Sequence, residues 1–535
     1  MKEKDELIAT MTEYRRLANA EKYEPKTEQV QYLFPELETI MLYGVDGPEG
    51  EAGPGKEGGG KRGGVPGKAR KPRRPVLTLP RTAPVVECRH YADGQVPETK
   101  VVGGVEYRRC EDKVVVKAGH VPASSYVEVH RYAQYKAVHG PEGGAPGRIA
   151  DMPCRDVDGM SCAPSLVAEY AESKYDDHMP LYRQEEKSAR EGFPVSRQQM
   201  CRWLLAYYSA LASFDLFFSA QVFRMNLVAQ DETPCKVLSV RSPDGKASSS
   251  SFVVIRVGTT FDRDKRGYRR IVSMSYIHGR ARDKLLDGFG RNGYRGPLQS
   301  DGLKGYYGTG EIDQGKHAGC WAHAARPLKK YARRDPGESH VFRILSLYGQ
   351  LAQIEKKYRR MLEGGGIDAE TFLSRRKEDS TKVIDEIYKV VDGLNGYVLK
   401  DPLAKAVAYL NEYRDHMRVY LDYVECTPDN NECERRAKAF AVGRKNWLFN
   451  QTVDGIDASC FYYSLVETAK ACSLNPKDYL EYVFTRVPYA RKEDYGKYLP
   501  WNLDMQDYNA VIGRKLEAAP DPDRTEDYIL AGFRR

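Results

Sequence analysis

The sequence predicts an α/β fold in which a sheet of short strands forms the core and an all-helical segment interrupts it. An apolar run at 227–229 has strand character, and a second strand-like run follows at 236–240. Residues 251–257 and 268–276 are rich in β-branched and aromatic side chains and are bounded by glycine and charged turns. These features are typical of strands that pair as a meander.

A helical segment at 281–289 and a further short strand at 296–300 come next. Strands paired as a meander, then a helix and then a further strand are close to the order expected of a ribonuclease-H-like core, in which the first strand and the strand after the helix lie side by side. The first strand stops at Asp231 and the later one at Asp301. We therefore expect these two carboxylates to be neighbours, although 70 positions separate them.

Length and composition suit a soluble protein of three or four domains. The chain has 535 residues, with 41% hydrophobic and 30% charged residues, and a formal net charge of +8. No apolar run is long enough to span a membrane, and the charged N-terminus lacks the apolar core of a signal peptide. The eleven cysteines form no CxxC pair, which argues against a disulfide framework. We expect a cytoplasmic protein.

Four segments precede the predicted core. Residues 1–45 are predicted to be a polar helical segment, and 46–75 a Gly/Pro-rich linker whose basic end either follows phosphates or is a solvated spacer. Residues 76–160 predict a small β-rich domain, with short strands separated by Gly and Pro. Residues 161–220 are predicted to be helical.

A helix-turn-helix pattern lies in the helical segment. A helix at 181–191 is followed by a turn with Gly and Pro, and Ser196 is a suitable N-cap for a helix over 197–208. The exposed face of that helix would present four side chains suited to phosphate and base contacts: Arg197, Gln198, Gln199 and Arg202. A purely structural helical hairpin explains the pattern equally well.

The remainder divides into four parts. The first part of the core spans 221–335 and ends with a strand at 317–320 and a helix at 321–334. Apolar residues at helical spacing predict a helical insertion over 336–425. Residues 426–503 would complete the core and add C-terminal helices, and 504–535 form a charged tail.

Asp231, Asp301 and Glu434 are the candidate catalytic residues. Carboxylates that hold two Mg²⁺ or Mn²⁺ ions form a clamp for in-line phosphoryl transfer, so this set points to the cutting and joining of DNA. Taken singly, each acid also has an ordinary explanation. Asp231 and Asp301 could be turn residues, and Glu434 could pair with a cation of its own helix.

The surroundings of Glu434 favour a phosphodiester substrate. Asn430 lies four positions earlier, on the same helical face, and Trp447 either stacks on an unpaired base or belongs to the core. A dense run of cations follows, namely Arg435, Arg436, Lys438, Arg444 and Lys445. Cys320 and His323 have the spacing of half a zinc site, but no second pair is near, so zinc is not expected and His323 is placed close to the catalytic metals.

Several motifs resemble the insertion-sequence-66 family of bacterial transposases, in order and at plausible spacing over residues 160–503. They are KYDDHMPLYRQE (174–185), QDET (230–233), QSDG (299–302), CWAHAAR (320–326), DNNECERRAKAFAVGRKNWLF (429–449), SLVETAKACSLNPKDYLEYVFTRVP (464–488) and LPWN (499–502). The resemblance implies a DDE transposase with a ribonuclease-H-like core and a metal-binding triad of Asp231, Asp301 and Glu434. It further implies small accessory proteins encoded by the same element.

One region departs from the family pattern. Members usually carry a zinc-binding domain with two CxxC pairs ahead of the KYDDH-like motif, whereas this chain offers only scattered cysteines there. The domain either keeps a β-rich shape without metal or belongs to a decaying copy of the element.

The resulting expectation is a transposase that binds the terminal inverted repeats of its element, cleaves a strand at each end and joins the 3′-hydroxyls to double-stranded target DNA. Because paired ends must be held together, we expect a homodimer or a larger oligomer. Two other functions remain open on the sequence: a metal-dependent nuclease that does not join DNA, and a non-catalytic repressor derived from a transposase.

Overall fold

The structure is a computed structural model, and it describes the following residues: 99–102, 105–108, 134–136, 148–150, 157, 162–191, 193–242, 248, 250–307, 313, 316–334, 339–397, 399 and 401–513. Residues 47–126 form one compact unit and the rest of the chain another. The predicted helical segment 1–45 and the linker 46–75 lie outside the described residues. Of the predicted tail, the described part includes a helix at Met505–Ile512.

Two short hairpins are described in the region predicted to be β-rich. In the 47–126 unit, β1 (Thr99–Val102) pairs antiparallel with β2 (Val105–Arg108). In the other unit, β3 (Gln134–Lys136) pairs antiparallel with β4 (Arg148–Ala150). The sequence also favours strands at 113–116 and 126–132, and both segments lie outside the described residues.

Four helices lead to the sheet. They are α1 (Pro164–Tyr175), α2 (Leu181–Arg190), α3 (Arg197–Ala210) and α4 (Ala212–Ala220). Ser196 caps α3 as predicted, because its hydroxyl accepts a hydrogen bond from the Gln199 amide at 3.3 Å. On the inner face of α3, Trp203 is buried and stacks on Tyr170 of α1. These contacts fix the helical region against the main core.

The main sheet has five strands in the order β7-β6-β5-β8-β9. They are β5 (Leu227–Pro234), β6 (Ser251–Asp262), β7 (Gly267–His278), β8 (Leu298–Gln299) and β9 (His317–Ala318). The first three strands form the predicted antiparallel meander, whereas β8 pairs parallel with both β5 and β9. The predicted adjacency of the first strand and the strand after the helix is therefore present.

The structure differs from the sequence prediction at two elements: one predicted strand is absent and one predicted helix is shorter. Residues 236–240 do not form a strand, because β6 and β8 already occupy the two edges of β5, and only a single bridge joins Val237 to Asn450. The helix predicted over 281–289 is one turn, α5 (Arg282–Leu285). It cannot continue because Gly288 adopts a φ of 96°, which is incompatible with a right-handed helix.

The segment predicted to be a helical insertion is helical in the structure. It contains α7 (Ser339–Glu363), α8 (Ala369–Leu394) and α9 (Asp401–Glu412), and it follows α6 (Trp321–Arg334). The buried guanidinium of Arg376 on α8 donates to the carbonyls of residues 420, 423 and 426, and it also lies against Glu355 of α7. The insertion thereby fixes the segment that returns the chain to the sheet.

Helices complete the core after the insertion. They are α10 (Asn431–Trp447), α11 (Val453–Ala471), α12 (Pro476–Arg486) and α13 (Met505–Ile512). Helix α11 is buried along most of its length and protects the outer edge of the sheet. The hydroxyls of Ser464 and Thr468 accept hydrogen bonds from the amides of Met274 and Val272 on β7. Unpaired strand amides are thereby satisfied.

Within the described residues, every helix is too short or too polar to cross a lipid bilayer.

Candidate active site

Strand β5 carries the first candidate carboxylate. Residues 227–230 are buried, and Asp231 is the first residue of the strand that is partly exposed. One carboxylate oxygen accepts a hydrogen bond from the Glu232 amide at 2.8 Å, which limits the rotation of the side chain. The strand does not stop at Asp231 as predicted, because β5 stays paired with β6 as far as Pro234. Asp231 is therefore an oriented carboxylate within the strand, at the point where burial of the strand decreases.

Strand β8 brings the second carboxylate beside the first. Ala229 of β5 pairs in parallel with Gln299 of β8, and each aspartate follows its paired residue by two positions, Asp231 within β5 and Asp301 just after β8. Neighbouring strands are about 4.8 Å apart, so this register places the two aspartates opposite each other. The Asp301 carboxylate also accepts a hydrogen bond from the Leu303 amide at 3.0 Å, which orients it.

Residues 426–430 and the start of α10 bring Glu434 to the same rim. The Gln299 side chain donates to the Thr427 carbonyl at 2.6 Å, and the Trp321 amide donates to the Pro428 carbonyl at 3.0 Å. The Asn430 side chain donates to the Gln230 carbonyl at 2.9 Å, immediately before Asp231. These bonds attach the beginning of α10 to β5, β8 and α6. They explain how an acid 133 positions after Asp301 returns to the site.

Two side chains of α6 connect the acids. His323 lies 4.0 Å from Asp301 through Nε2 and 3.5 Å from Glu434 through Nδ1. Arg326 donates to Glu434 at 3.1 Å and to Nε2 of His323 at 3.2 Å. Because a guanidinium can only donate, Nε2 must accept, and the imidazole proton is on Nδ1, facing Glu434. The sequence prediction included His323 but missed Arg326, although its place three residues later on a helix indicated the same face.

The negative charge of the three clustered carboxylates is only partly compensated by nearby cations. Burial raises the pKa of Asp231 to about 7, and the nearby acids Glu232, Asp301 and Glu434 act in the same direction. Burial also lowers the pKa of His323, and Arg326 adds to this effect, so the imidazole is neutral near pH 7. Its neutral ring cannot offset the charge of the acids.

The adjacent Glu232 is distinguished from Asp231 by its partners. The hydroxyl of Tyr306 donates to its carboxylate at 2.5 Å, and Arg280 donates at 3.1 Å. These contacts oppose burial, which is the largest effect and leaves the pKa of Glu232 raised. Its oxygens are therefore engaged by the protein, whereas Asp231 has the backbone contact described above. The structure separates the roles of two acids that the sequence presents as a pair.

The residues at this rim fit a hard divalent cation. The three carboxylates supply oxygen ligands, and the buried Oδ1 of Asn430 has no hydrogen-bond partner among the described residues. Cys320, His323 and Glu434 also place ligand atoms within 4.8 Å of one another. However, burial raises the pKa of the Cys320 thiol far above its ordinary value, and its sulfur accepts a hydrogen bond from the Asn430 amide. The Cys320 sulfur is therefore already engaged by the main chain at the start of α10.

The residues predicted to contact DNA differ in their accessibility. On α3, Arg197, Gln198 and Arg202 are exposed and Gln199 is half-buried. On α10, three cations are exposed, Arg435, Lys438 and Lys445, and Arg444 is half-buried.

Arg436 differs from the other cations of α10. Its side chain is 9% exposed and bonds to Glu432 at 2.7 Å and to Glu467 at 3.0 Å. Glu467 is itself buried, so Arg436 ties α10 to α11 instead of facing solvent. The Arg436 guanidinium is therefore engaged inside the protein and is not accessible to DNA.

Trp447 is half-buried at the end of α10. Its ring packs edge-on against Tyr175 at 6.4 Å, and the Lys174 ammonium lies 5.6 Å from the ring centre. A Cβ at Gly443, one helical turn earlier, would overlap the indole. This packing favours the interpretation of Trp447 as a core residue.

Two family models match the chain. The model described as "Transposase IS66 family" matches residues 159–458, and the model described as "IS66 C-terminal element" matches 464–501. The uncharacterized protein y4qI of Sinorhizobium fredii is 26% identical over 490 residues, which cover 89% of this chain and 84% of that protein. The uncharacterized protein y4jD of the same organism is 26% identical over 369 residues, covering 66% and 68% respectively. No solved structure matches the chain.

The first family match alone covers more than half of the chain, and it includes the two strands and the helix that carry the three acids. The chain belongs to the IS66 family of transposases.

Proposed function

We propose that Asp231, Asp301 and Glu434 are the catalytic triad of a DDE-type enzyme that cleaves and joins DNA. The parallel register of β5 and β8 carries this proposal, because it puts Asp231 and Asp301 opposite each other at one rim of the sheet. Glu434 reaches the same rim on α10, where His323 lies within 4.0 Å of both Asp301 and Glu434. Three acids from distant parts of the chain therefore converge. The ion pair between Arg326 and Glu434 accounts for only one of them.

The sheet supports a ribonuclease-H-like identity for the core. The strand order is β7-β6-β5-β8-β9, and β6 runs antiparallel to both of its neighbours, β7 and β5. The parallel strands β8 and β9 continue the sheet beyond β5. In this arrangement the first and fourth strands are central neighbours, which is where the two aspartates lie. The helical insertion then separates the fifth strand from the helix that bears the final acid.

Asp231, Asp301 and Glu434 would hold two divalent cations, with Mg²⁺ or Mn²⁺ the best match to an all-carboxylate set. Such ions would activate the attacking water or 3′-hydroxyl and stabilise the leaving oxygen. The chain itself contributes orientation. The amides of Glu232 and Leu303 fix the two aspartates, and Arg326 holds Glu434 in place.

The cations of α10 and α3 would bind the phosphate backbone. Arg435, Lys438 and Lys445 are exposed on the helix that carries Glu434, so DNA bound there would pass the acids. We propose that the substrates are the terminal inverted repeats of the element and double-stranded target DNA, and that the enzyme acts at the bacterial nucleoid. Since two ends must be joined together, the active form would be a homodimer or a larger oligomer, with accessory proteins of the element as further partners.

The test compares wild type with Asp301→Asn on labelled DNA from the two flanks of the gene, with Mg²⁺ or Mn²⁺. The amide keeps the size of the side chain and removes its charge, so cleavage should fall more than about a hundredfold while binding persists. Asp287→Asn is the matched control, because Asp287 is an exposed aspartate that pairs with Arg291 on the surface.

Each function considered makes a different prediction. Cleavage followed by joined product, lost in Asp301→Asn and kept in Asp287→Asn, supports a transposase. Cleavage without joining supports a nuclease. Binding without cleavage by any variant, even with the accessory proteins added, supports a repressor. Equal cleavage by wild type and Asp301→Asn would mean that the active site lies elsewhere.

A further inference from the structure

A row of exposed residues follows Glu434 along α10. Arg435, Lys438, Val442 and Lys445 are all exposed, and their spacing of three or four residues places them on one face of the helix. The row begins one residue after the proposed catalytic glutamate. It therefore forms a mostly positive track that leads away from the active site and matches the charge of a DNA backbone.

The track ends in two exposed apolar side chains. Leu448 is 69% exposed and Phe449 is 43% exposed, directly after the last turn of α10. Leu448 also has a φ of 67°, in the left-handed region that bulky side chains rarely adopt. Because most of its side chain is exposed, Leu448 adds little to the packing that would offset this strain. Strain of this kind is concentrated at functional sites.

The main chain around these two residues is held firmly. The Leu448 amide donates to the Arg444 carbonyl at 2.7 Å, which closes the last turn of α10. On the other side, the Asn450 amide donates to the Lys236 carbonyl at 2.8 Å, and the Asn450 carbonyl accepts from the Leu238 amide at 2.9 Å. These are the bonds that 236–240 makes in place of a strand ladder. The apolar tip is therefore fixed in position before any partner arrives.

We propose that Leu448 and Phe449 form a wedge that inserts between base pairs of duplex DNA lying along α10. The inference rests on the proposed function, since it takes the bound DNA to run from Glu434 along the positive track. Rigid apolar side chains flanked by cations are suited to this role, because the cations hold the backbone while the apolar groups replace base stacking. A partner protein would not require the lysines that lie beside the tip.

The structure also predicts where the distortion lies. Leu448 follows Glu434 by 14 positions, which corresponds to about 21 Å along a helix at 1.5 Å per residue. At about 3.4 Å per base pair, the wedge would act roughly six base pairs from the cleaved phosphodiester. Unstacking should be confined to that step.

The experiment uses full-length protein and duplexes from the flanks of the gene, each with 2-aminopurine at one position. Unstacking raises 2-aminopurine fluorescence, so wild type should produce a several-fold rise at one step near the cleavage site. The double variant Leu448→Gly/Phe449→Ser should abolish this rise. It should still fold, because glycine accepts the left-handed conformation at 448, and its unfolding temperature should not fall below that of wild type.

Two controls separate the wedge from general effects. Leu216→Ala removes another exposed leucine, 76% exposed on α4, and should leave the fluorescence rise unchanged. Lys445→Ala should weaken binding to every duplex and reduce the slope of log affinity against log salt concentration by about one. The wedge variant should keep the slope of wild type.

The outcomes distinguish this inference from the proposed function. If wild type binds and cleaves DNA but no position brightens, or if the double variant brightens the same position, the wedge is refuted and the enzyme stands. If the tip is instead covered by a second copy of the chain and DNA is unaffected by its removal, the surface is a protein interface and the wedge is again refuted. If wild type does not bind DNA, both proposals fail.

Discussion

Gly302 provides a sharp test of how the helical insertion supports the active site. It follows Asp301 directly, and a Cβ at this position would overlap the ring of Tyr409 and lie 3.1 Å from a ring carbon of Tyr413. The Tyr413 hydroxyl also donates to the Gly302 carbonyl at 2.9 Å. Two tyrosines of the insertion therefore pack on the loop that follows Asp301, a proposed catalytic carboxylate. We expect Gly302→Ala to displace either that loop or Tyr409.

The size of the effect follows from the overlap. The new methyl group would lie well inside the carbon–carbon contact distance of about 3.5 Å, and overpacking of this kind costs about 1–3 kcal/mol. If the loop moves, Asp301 moves with it, and a displacement of about 1 Å at a reacting centre lowers the rate about a hundredfold. Cleavage by Gly302→Ala should therefore fall by about tenfold to a hundredfold, while DNA binding is unchanged.

A second substitution should restore the activity. Tyr409→Ala removes the ring that the methyl group would meet, so the double variant Gly302→Ala/Tyr409→Ala should cleave faster than Gly302→Ala alone. The measurement is the rate of metal-dependent cleavage of flanking DNA by the four proteins of this cycle. Tyr397→Ala, which removes a tyrosine that is 72% exposed in the same insertion, is the control and should rescue nothing. Full activity of Gly302→Ala, or no rescue by Tyr409→Ala, would refute the reasoning.

Two further predictions concern stability. Burial lowers the pKa of His317 to about 3, so between pH 6.5 and 3 only the unfolded chain takes up this proton. Stability from this residue is complete above pH 6.5 and is lost as the pH falls, by about 2 kcal/mol at pH 5, and His317→Gln should flatten the decline. Arg376→Met should cost at least about 3 kcal/mol in chemical denaturation, because Glu355 and three main-chain carbonyls lose a buried donor.

Chemical denaturation tests both stability predictions. For His317, denaturation midpoints of wild type and variant are compared at pH 7 and pH 5, and an equal loss in both proteins would contradict the assignment. For Arg376, the neighbouring Arg375→Met is the control, since Arg375 is exposed on the same helix. Equal midpoints for the two arginine variants would mean that the buried guanidinium does not hold residues 420–426 in place.

Local patterns in the sequence were sufficient for most of the main elements. The meander strands β6 and β7 follow runs of β-branched residues, and the insertion follows apolar residues at helical spacing, such as Ile344 and Leu351, which are buried. The Ser196 cap could be predicted for the same reason, because capping depends on neighbouring residues. The order of elements also predicted that the strands ending near Asp231 and Asp301 pair side by side, as β5 and β8 do.

Other properties depended on what each segment meets in three dimensions. Residues 236–240 have strand character, but no edge of β5 is free for them, and they hold Asn450 and the adjacent apolar tip instead. Arg436 reads as one more cation in a basic run, yet its side chain is directed at the buried Glu467. Spacing shows which helical residues share a face, but whether that face meets solvent or another element depends on the tertiary structure.

The sequence by itself determined the fold class, the family resemblance and the three candidate acids, because these depend on residue type, order and spacing. Only the tertiary structure decided the partners of those acids: His323 and Arg326 beside Glu434, and Tyr306 on Glu232. It alone also showed that Leu448 is strained and exposed, while the adjacent Trp447 is packed. The physical reason is that burial, charge compensation and strain arise from contacts between residues far apart in the chain, which no local pattern encodes.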